Sequence, residues 1–572
     1  MASIDVHRSS DIEISATGSQ SHEDRVTAVT NTIASMRDPF GDYEELISIS
    51  SRVVADGAVR SDLETAFERG SAQYQAYVKD CLISKEKEVF DTIPLLKLKD
   101  FGSAPKQATK TQTEKVSAAE ERTLFTRILL VSQARNPNLR DVLSYNLTTY
   151  PLSIATAQGD MRKTSKSVMA KELEKMTGHP LLDSVEVVSP VAVVLDAMAI
   201  IKSLQTADLP ETFGEYADVI FQKVLSTANY HNASRVDWVV DQYRELSIKY
   251  AEREKRVSTT GLQRVLITNA DQKLPRQFTK FLAHPDNKTD LLQFLYTSMR
   301  QKELESLQVY VTNATRCSVL ARRQPSEASA EIPALNSGHE EADTRLLLHG
   351  IHAAEQGSQT VIICSPDTDV LVITLPIAIA HQPAVFGFDT GTGNYRRLVN
   401  VTNMAKSLGA PICQAMPFLH AFTGCDTISA FHNKGKKKAV DVLKKDAELQ
   451  DVFGSIHLTL PVPSEAQQKV ENFVCRLYSA KANTVNGARY ELYKNGRTSS
   501  ALPPNDDALN LHLKRSVYQT RIWRDVSQQL TEVSPVGSGW CLSDGQLSLK
   551  WTERPVAQAQ DLKVRESMQS TD

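Results

Sequence analysis

Short apolar runs and amphipathic stretches take turns through the middle of the chain. VAVVL (191–195) is short, β-branched and preceded by Pro190, the pattern of a strand buried in a parallel sheet. VDWVV (236–240), ESLQVYVTNA (305–314) and QTVIIC (359–364) read as further strands. Between them, GEYADVIFQKVLSTA, QYRELSIKYAEREKR and EEADTRLLLHGIHAAEQG carry helical periodicity. Strands alternating with helices predict an α/β fold with a mainly parallel central sheet flanked by helices. In such a sheet, functional side chains gather at the carboxyl ends of the strands.

The flanks read differently. Residues 1–40 are a polar tail, 41–120 a helical N-terminal region ending in the linker SAPKQATKTQTEKVSAAEE, and 121–184 a helical and mixed lead-in that includes TLFTRILLVSQ and SKSVMAKELEKM. The α/β core is expected over 185–455. A mostly helical C-terminal extension follows over 456–560, holding EAQQKVENFVCRLYS, DDALNLHLKRSVYQTRIWRDVSQQL and a turn-rich stretch, and 561–572 form a polar tail.

Composition narrows the classes. With 41% hydrophobic and 23% charged residues the chain is of globular type. Its 65 basic and 68 acidic residues leave a net charge of −3, so any affinity for nucleic acid has to come from local patches. The seven cysteines form no C-x-x-C pair, which argues against a zinc ribbon or disulfide framework and for a reducing, intracellular setting, nucleus ahead of cytoplasm. Cys364 and Cys425 stand in apolar runs and read as small core residues. The N-terminus lacks the basic start and apolar centre of a signal peptide, and no run approaches the ~18 apolar residues of a membrane helix, so no membrane partner is expected.

The candidate chemistry is a set of acids. Asp196 ends VAVVLD, Asp241 ends VDWVVD, Asp367 and Asp369 follow VIIC in SPDTD, and Asp426 closes FLHAFTGCD. Glu340, Glu341 and Asp343 open a helix in HEEAD. Helix capping alone accounts for several of them: Ser365 suits an N-cap, Pro366 a first helical position, and first-turn acids complement the helix dipole. Capping gives no reason for all of them to share one sheet edge, where unpaired carboxylates repel and lose hydration at several kcal/mol per ion. A pair of hard divalent cations about 4 Å apart does, and such a pair cleaves phosphodiesters.

The ordered strings VVLDAMAI, WVVDQYRELSIKYAEREKR, EEADTRLLLHGIHAAEQG, SPDTDVLV and TGCDTISAFHNKGKKKAVDVL resemble the PIN-like 5′ nuclease superfamily, the flap endonuclease and XPG type, over residues 185–450. The resemblance implies a PIN-like core with a helix-hairpin-helix segment at 424–445 and seven metal-site carboxylates: Asp196, Asp241, Glu341, Asp343, Asp367, Asp369 and Asp426. It implies two Mg²⁺ or Mn²⁺ ions, the first held mainly by the earlier acids and the second by Asp367, Asp369 and Asp426. Asp343 departs from the Glu usual there and is one methylene shorter. The strings EEADTRLLLH, SPDTDVLV and LHAFTGCDTISAFHNKGKKKAV further resemble a multicopy group of metazoan proteins, which brings in a transposon-related factor as a third reading.

Two basic segments complete the picture. In HNKGKKKAVDVLKKD, Lys434, Lys436, Lys437 and Lys438 surround Gly435 at a predicted helix start, where backbone N–H groups and lysines bind phosphate without reading sequence. A solvated basic helix or a nuclear-localisation patch reads the same way. Asn433 stands where the family often has a first glycine, and Asn tolerates the left-handed backbone such a hairpin uses. In the helix after Asp241 the resemblance places Lys249 and Arg253, with Arg256 behind them, near the scissile phosphate, although an exposed helix with i,i+4 ion pairs has the same composition. The histidines around these motifs lack zinc spacing and read as packing or surface residues. The function expected is a divalent-metal-dependent nuclease, acting on structured or single-stranded DNA ahead of RNA. The competing expectation is a PIN-like scaffold that binds nucleic acid or protein without efficient cleavage.

Overall fold

A strand covered on both faces has to be apolar along its length, and VAVVL, RVDWV and TVII are buried at every position. In the computed structural model of the chain these runs form the centre of a seven-stranded sheet. In chain order its strands are β1 (Val191–Asp196), β2 (Arg235–Val239), β3 (Gln308–Asn313), β4 (Arg316–Val319), β5 (Thr360–Cys364), β6 (Val385–Thr390) and β7 (Arg397–Asn400). Across the sheet they run β4-β3-β2-β1-β5-β6-β7. The five inner strands are parallel, and β4 and β7 close the edges antiparallel. The chain is therefore mixed α/β with a mainly parallel central sheet flanked by helices.

The structure describes residues 26–27, 45–47, 53–88, 139–178, 187–204, 209–242, 248, 263–302, 304, 306–320, 330–339, 341–391, 393–526, 534–543 and 546–554. These fall into two compact units. One comprises 1–105, 206–219 and 260–294; the other comprises 106–205, 220–259 and 295–572 and contains the whole sheet. In the first unit, Phe213 meets Phe281 with ring centroids 5.7 Å apart and Tyr216 meets Phe278 at 5.1 Å. Buried Asn287 there accepts the Val265 N–H and donates to the carbonyls of Gln263 and Phe281. Helices Gly57–Glu64 and Ala66–Tyr77 belong to this unit. The helices expected at 123–133 and, apart from Gln242 and Ile248, at 242–256 lie outside the described residues.

The strand order positions the site. From β1 the chain moves outward to β2 and β3, then returns to lay β5 on the other side of β1, so the order reverses between β1 and β5. A crevice opens outside the carboxyl ends of two strands at such a point. In chain order the helices from 167 to 443 include α1 (Ser167–Thr177), α2 (Ala197–Ser203), α3 (Phe213–Tyr230), α4 (Ala342–Glu355), α5 (Thr368–Ala380), α6 (Ala410–Phe422) and α7 (Lys436–Leu443). Helix α4 turns one face to the sheet, burying Leu346, Leu347, His349 and Ala353, whereas α5 is apolar around most of its circumference and is buried accordingly.

One continuous core runs from Leu143, Ile154 and Met169 through the sheet to Phe473, Trp523, Trp540 and Trp551. The described residues within 139–177 and 464–551 contribute to the same core as the sheet. Buried Arg489 illustrates the join, donating to the carbonyls of Leu143 and Pro503. Within 424–445 the structure holds one helix, α7, so any hairpin here is made by α6 and α7 across the loop 423–435.

Candidate metal and nucleic-acid site

The acids sit where local backbone demands place them. After β5, Asp367 serves as the N-cap of α5 and accepts the Asp369 N–H at 2.9 Å. The helix begins at Thr368, so Ser365 and Pro366 precede the cap instead of forming it. Ser365 instead bridges two acids, since its Oγ accepts the Asp367 N–H at 3.2 Å and donates to Asp196 Oδ2 at 3.2 Å. Asp196 ends β1 and caps α2 through the Ala199 N–H at 3.1 Å. Asp241, just past β2, accepts the Ala342 N–H at 2.9 Å, which ties β2 to the start of α4. Glu341 is the N-cap residue of α4 and Asp343 lies in its first turn. Capping and clustering are met by the same side chains.

Four of these acids converge. Carboxylate oxygens of Asp343, Asp367 and Asp369 lie within 4.8 Å of one another. The Lys166 ammonium stands 2.8 Å from Asp367, 3.2 Å from Asp369 and 3.0 Å from Asp426, gathering the fourth acid into the group. Asp196 and Asp241 form a neighbouring pair joined to the cluster through Ser365 and α4. The sequence expectation had no place for Lys166. It lies in a polar run that looks like any solvated helix start, directly before α1.

Electrostatics follow the crowding. Burial and then the charge of Asp241 push Asp196 up to about 6, against the hydrogen bonds from Ala199 and Ser365. Burial and the adjacent Asp369 raise Asp367 in spite of Lys166. Burial works against the Lys166 charge, but Asp369, Asp367 and Asp426 outweigh it and hold the ammonium above its ordinary value. His420, fully buried at the end of α6, lies 2.8 Å from Asp369 Oδ1 through Nε2. Burial, Lys436 and Lys166 push this imidazole well below its usual range. A neutral ring facing a carboxylate has to present Nε2–H, so His420 holds Asp369 as a donor. It reads in sequence as a packing histidine; its helical phase relative to α5 is what gives it a role.

The donor set fits a hard divalent cation: carboxylate oxygens in excess, no thiolate among them, and an ammonium already occupying a cation position among three of them. A second group, His231, Cys364 and Asp389, is equally tight but differs in kind. There one acid is matched by His231 at 2.9 Å and by Arg396 at 2.5 Å.

The basic segment divides. Asn433 adopts the left-handed backbone (φ 54°) that the hairpin reading asked for, and Gly435 is the N-cap of α7. Lys436, however, is 1% exposed and donates to the His420 carbonyl at 2.8 Å, Thr423 Oγ1 at 3.1 Å and the Gly424 carbonyl at 2.6 Å. Burial drops its pKa to about 8. Its expected phosphate role is therefore corrected: the ammonium is spent on closing the C-terminal end of α6. Lys434 lies over the Tyr478 ring at 4.7 Å and Lys438 donates to Ser479 Oγ at 2.7 Å, while Lys437 is exposed. Lys249, Arg253 and Arg256 lie outside the described residues.

No family model matches the chain, and no curated protein does. Among solved structures, a bacteriophage T5 flap endonuclease complexed with DNA and metal ions is similar at 10% identity and a TM-score of 0.29, covering 59% of this chain and 100% of its own. A T5 protein co-crystallised with metal ions gives 12% and 0.29 over 59% and 97%, and a T5 5′-exonuclease variant gives 11% and 0.27 over 59% and 100%. Superpositions this loose carry no argument about chemistry. Among the described residues no helix is long and apolar enough to cross a membrane.

Proposed function

We propose that this chain is a divalent-metal-dependent nuclease of the PIN-like 5′ nuclease type, hydrolysing phosphodiester bonds in structured or single-stranded DNA ahead of RNA, in the nucleus. The observation that carries the reading is the convergence of Asp343, Asp367, Asp369 and Asp426 outside β1 and β5, with Asp196 and Asp241 alongside. A group of acids whose own chemistry disfavours their charge is poised for cations. These six residues and Glu341 would hold two Mg²⁺ or Mn²⁺ ions, which supply an activated water and a clamp on both oxygens of the displacement.

The remaining residues position and neutralise. Ser365 and His420 fix the orientations of Asp196 and Asp369 through hydrogen bonds of 3.2 and 2.8 Å. Gly435 and Lys437 at the start of α7 offer a backbone N–H and an exposed ammonium to a phosphate, with Lys434 and Lys438 beside them. Lys249 and Arg253 are assigned to the scissile phosphate on the resemblance of their segment. A second reading, a scaffold that binds nucleic acid or protein without efficient cleavage, is favoured by one observation: Lys166 already supplies a positive charge to three of the acids.

The two readings separate on purified protein offered labelled hairpin, flap and single-stranded DNA and RNA with Mg²⁺, Mn²⁺ or EDTA. Cleavage with metal, abolished in EDTA and in the Asp367→Asn, Asp369→Asn double variant, supports the nuclease. Cleavage of nothing by the wild type, or equal cleavage by both proteins, leaves the scaffold.

A further inference from the structure

We infer that the Lys166 ammonium is the resident cation of the Asp367–Asp369–Asp426 trio, and that a divalent ion enters the trio only by displacing it. The inference rests on the reading of these acids as metal ligands.

The geometry is that of a saturated site. An ammonium has three N–H donors and no acceptor, and the structure offers it three carboxylates, at 2.8, 3.2 and 3.0 Å. No donor is left for a phosphate in this arrangement. A lysine also suits this position where an arginine does not. Its charge is compact, like a metal ion's, whereas a guanidinium spreads its charge over a rigid plane of five donors.

The segment that carries Lys166 is fastened to the site. The Arg162 N–H bonds Ser429 Oγ at 3.0 Å, and the Arg162 carbonyl accepts the Ala430 N–H at 2.8 Å. His432 donates its N–H to the Ser153 carbonyl at 2.7 Å, and Lys163 Nζ reaches the Asp426 carbonyl at 3.1 Å. Residues 153–163 therefore run against 426–432 as a strap, and Lys166 leaves its end pointing into the trio. Its stem has rotatable bonds, so the ammonium can withdraw while the strap stays in place.

Two consequences follow. The trio without metal keeps a partial charge balance, which lets three acids stay together. A divalent ion binds there against a tethered competitor, so its affinity is lower than the trio alone would give. Once displaced, the ammonium is held by its backbone beside the crevice with its donors free for a phosphate.

Mn²⁺ titration by calorimetry and electron paramagnetic resonance, on the full-length wild type and Lys166→Met, tests this directly. The expected result is Mn²⁺ affinity at least about tenfold tighter in the variant, the scale of one lost competing charge contact. Equal affinities overturn the inference and leave the metal reading standing; no Mn²⁺ binding by either protein overturns the metal reading and the inference with it. A measurement on the wild type alone covers a variant that fails to fold. Acetic anhydride labelling with peptide mass spectrometry should find Lys166 protected relative to exposed Lys437 in EDTA, and labelled at least about threefold faster at saturating Mn²⁺ as its donors are released. Unchanged labelling at Lys166 while Mn²⁺ binds would also overturn the inference.

Discussion

Two of the sheet's carboxylate clusters, one buried and one at its carboxyl edge with Asp426 exposed, are built on opposite principles. On β2, Asp237 is fully buried and faces Arg235, whose Nε and Nη2 donate at 2.7 and 2.8 Å; His349 Nδ1 adds a contact at 2.7 Å. Arg235 and Asp237 are two apart on one strand and point to the same face, where His349 and His352, three apart on α4, meet them. The guanidinium continues to His352 Nδ1 at 3.0 Å and lies over the Tyr310 ring at 4.0 Å. Burial alone would raise Asp237, but Arg235 and His349 hold it below the usual carboxylate range. At the carboxyl edge the balance is reversed: three acids share one lysine, and burial leaves Asp367 and Asp196 raised. A cluster with one acid per strong base is a closed structural device. A cluster with surplus acid is a place for a cation.

The comparison is broken most severely at its open end. If the proposed function holds, replacing Asp367 and Asp369 together by Asn should lower metal-dependent cleavage by at least about 10³-fold, since the second of the two ions would lose two of its three carboxylates. The thermal midpoint in EDTA should move little, because surplus acids repel one another; a large drop would show the cluster to be structural. At the closed end, Asp237→Asn leaves a buried guanidinium without its counter-charge and should cost about 3–5 kcal/mol of unfolding free energy, with or without Mn²⁺. Denaturant melts read this directly, and a loss below about 1 kcal/mol would erase the distinction between the clusters. Lys436→Met is intermediate. Two carbonyls and a hydroxyl at the end of α6 lose their shared donor, for a loss of about 2 kcal/mol, while the salt dependence of DNA binding stays as in the wild type.

How much of this the sequence disclosed depends on how local each signal is. β1, β2, β3 and β5 announce themselves as apolar, β-branched runs, and α4 as a 3.6-residue period. β4 and β7 are four-residue edge strands that mix charge with apolar residues, and β6 (VFGFDT) carries a glycine at its middle and an acid near its end; none stands out as a strand from its pattern. Asp196, Asp241, Asp367 and Asp369 were visible as acids at or just past strand ends, whereas Asp343 lies in the first turn of α4 and Asp426 in the loop after helix α6. Lys166 was not visible, since it reaches the trio from 201 residues away from Asp367 and nothing in its own neighbourhood marks it. Lys436 misleads for the complementary reason. Five lysines within 434–444 look alike in composition, and only the path of α6 and α7 separates the one that turns inward from Lys437, which faces solvent. Packing of the described residues within 139–177 and 464–551 into the core was hidden by the same distance, since an amphipathic helix does not reveal which body it joins.

The smallest effect is the one that isolates surplus charge as a quantity. Asp196 has a folded pKa of about 6, raised by burial and by Asp241, above the ~3.9 of an unfolded aspartate. A raised carboxylate binds its proton more tightly when folded, so its favourable contribution is present below about pH 4 and is lost as pH rises through 6. Metal-free protein should therefore lose up to about 2 kcal/mol between pH 4 and pH 7 from this group, a figure reduced for its partial exposure. Asn keeps the cap on α2 and carries no charge, so Asp196→Asn should match the wild type near pH 4 and exceed it at pH 7 in EDTA. Mn²⁺ should reverse the ranking at pH 7, because the ion would stabilise the protein that still has the carboxylate more strongly. Melts of both proteins at the two pH values, with and without Mn²⁺, test both links at once. A gap independent of pH would mean that burial and Asp241 do not hold the Asp196 carboxyl above its ordinary value, and a gap untouched by Mn²⁺ would mean that the surplus charge is not there for a cation.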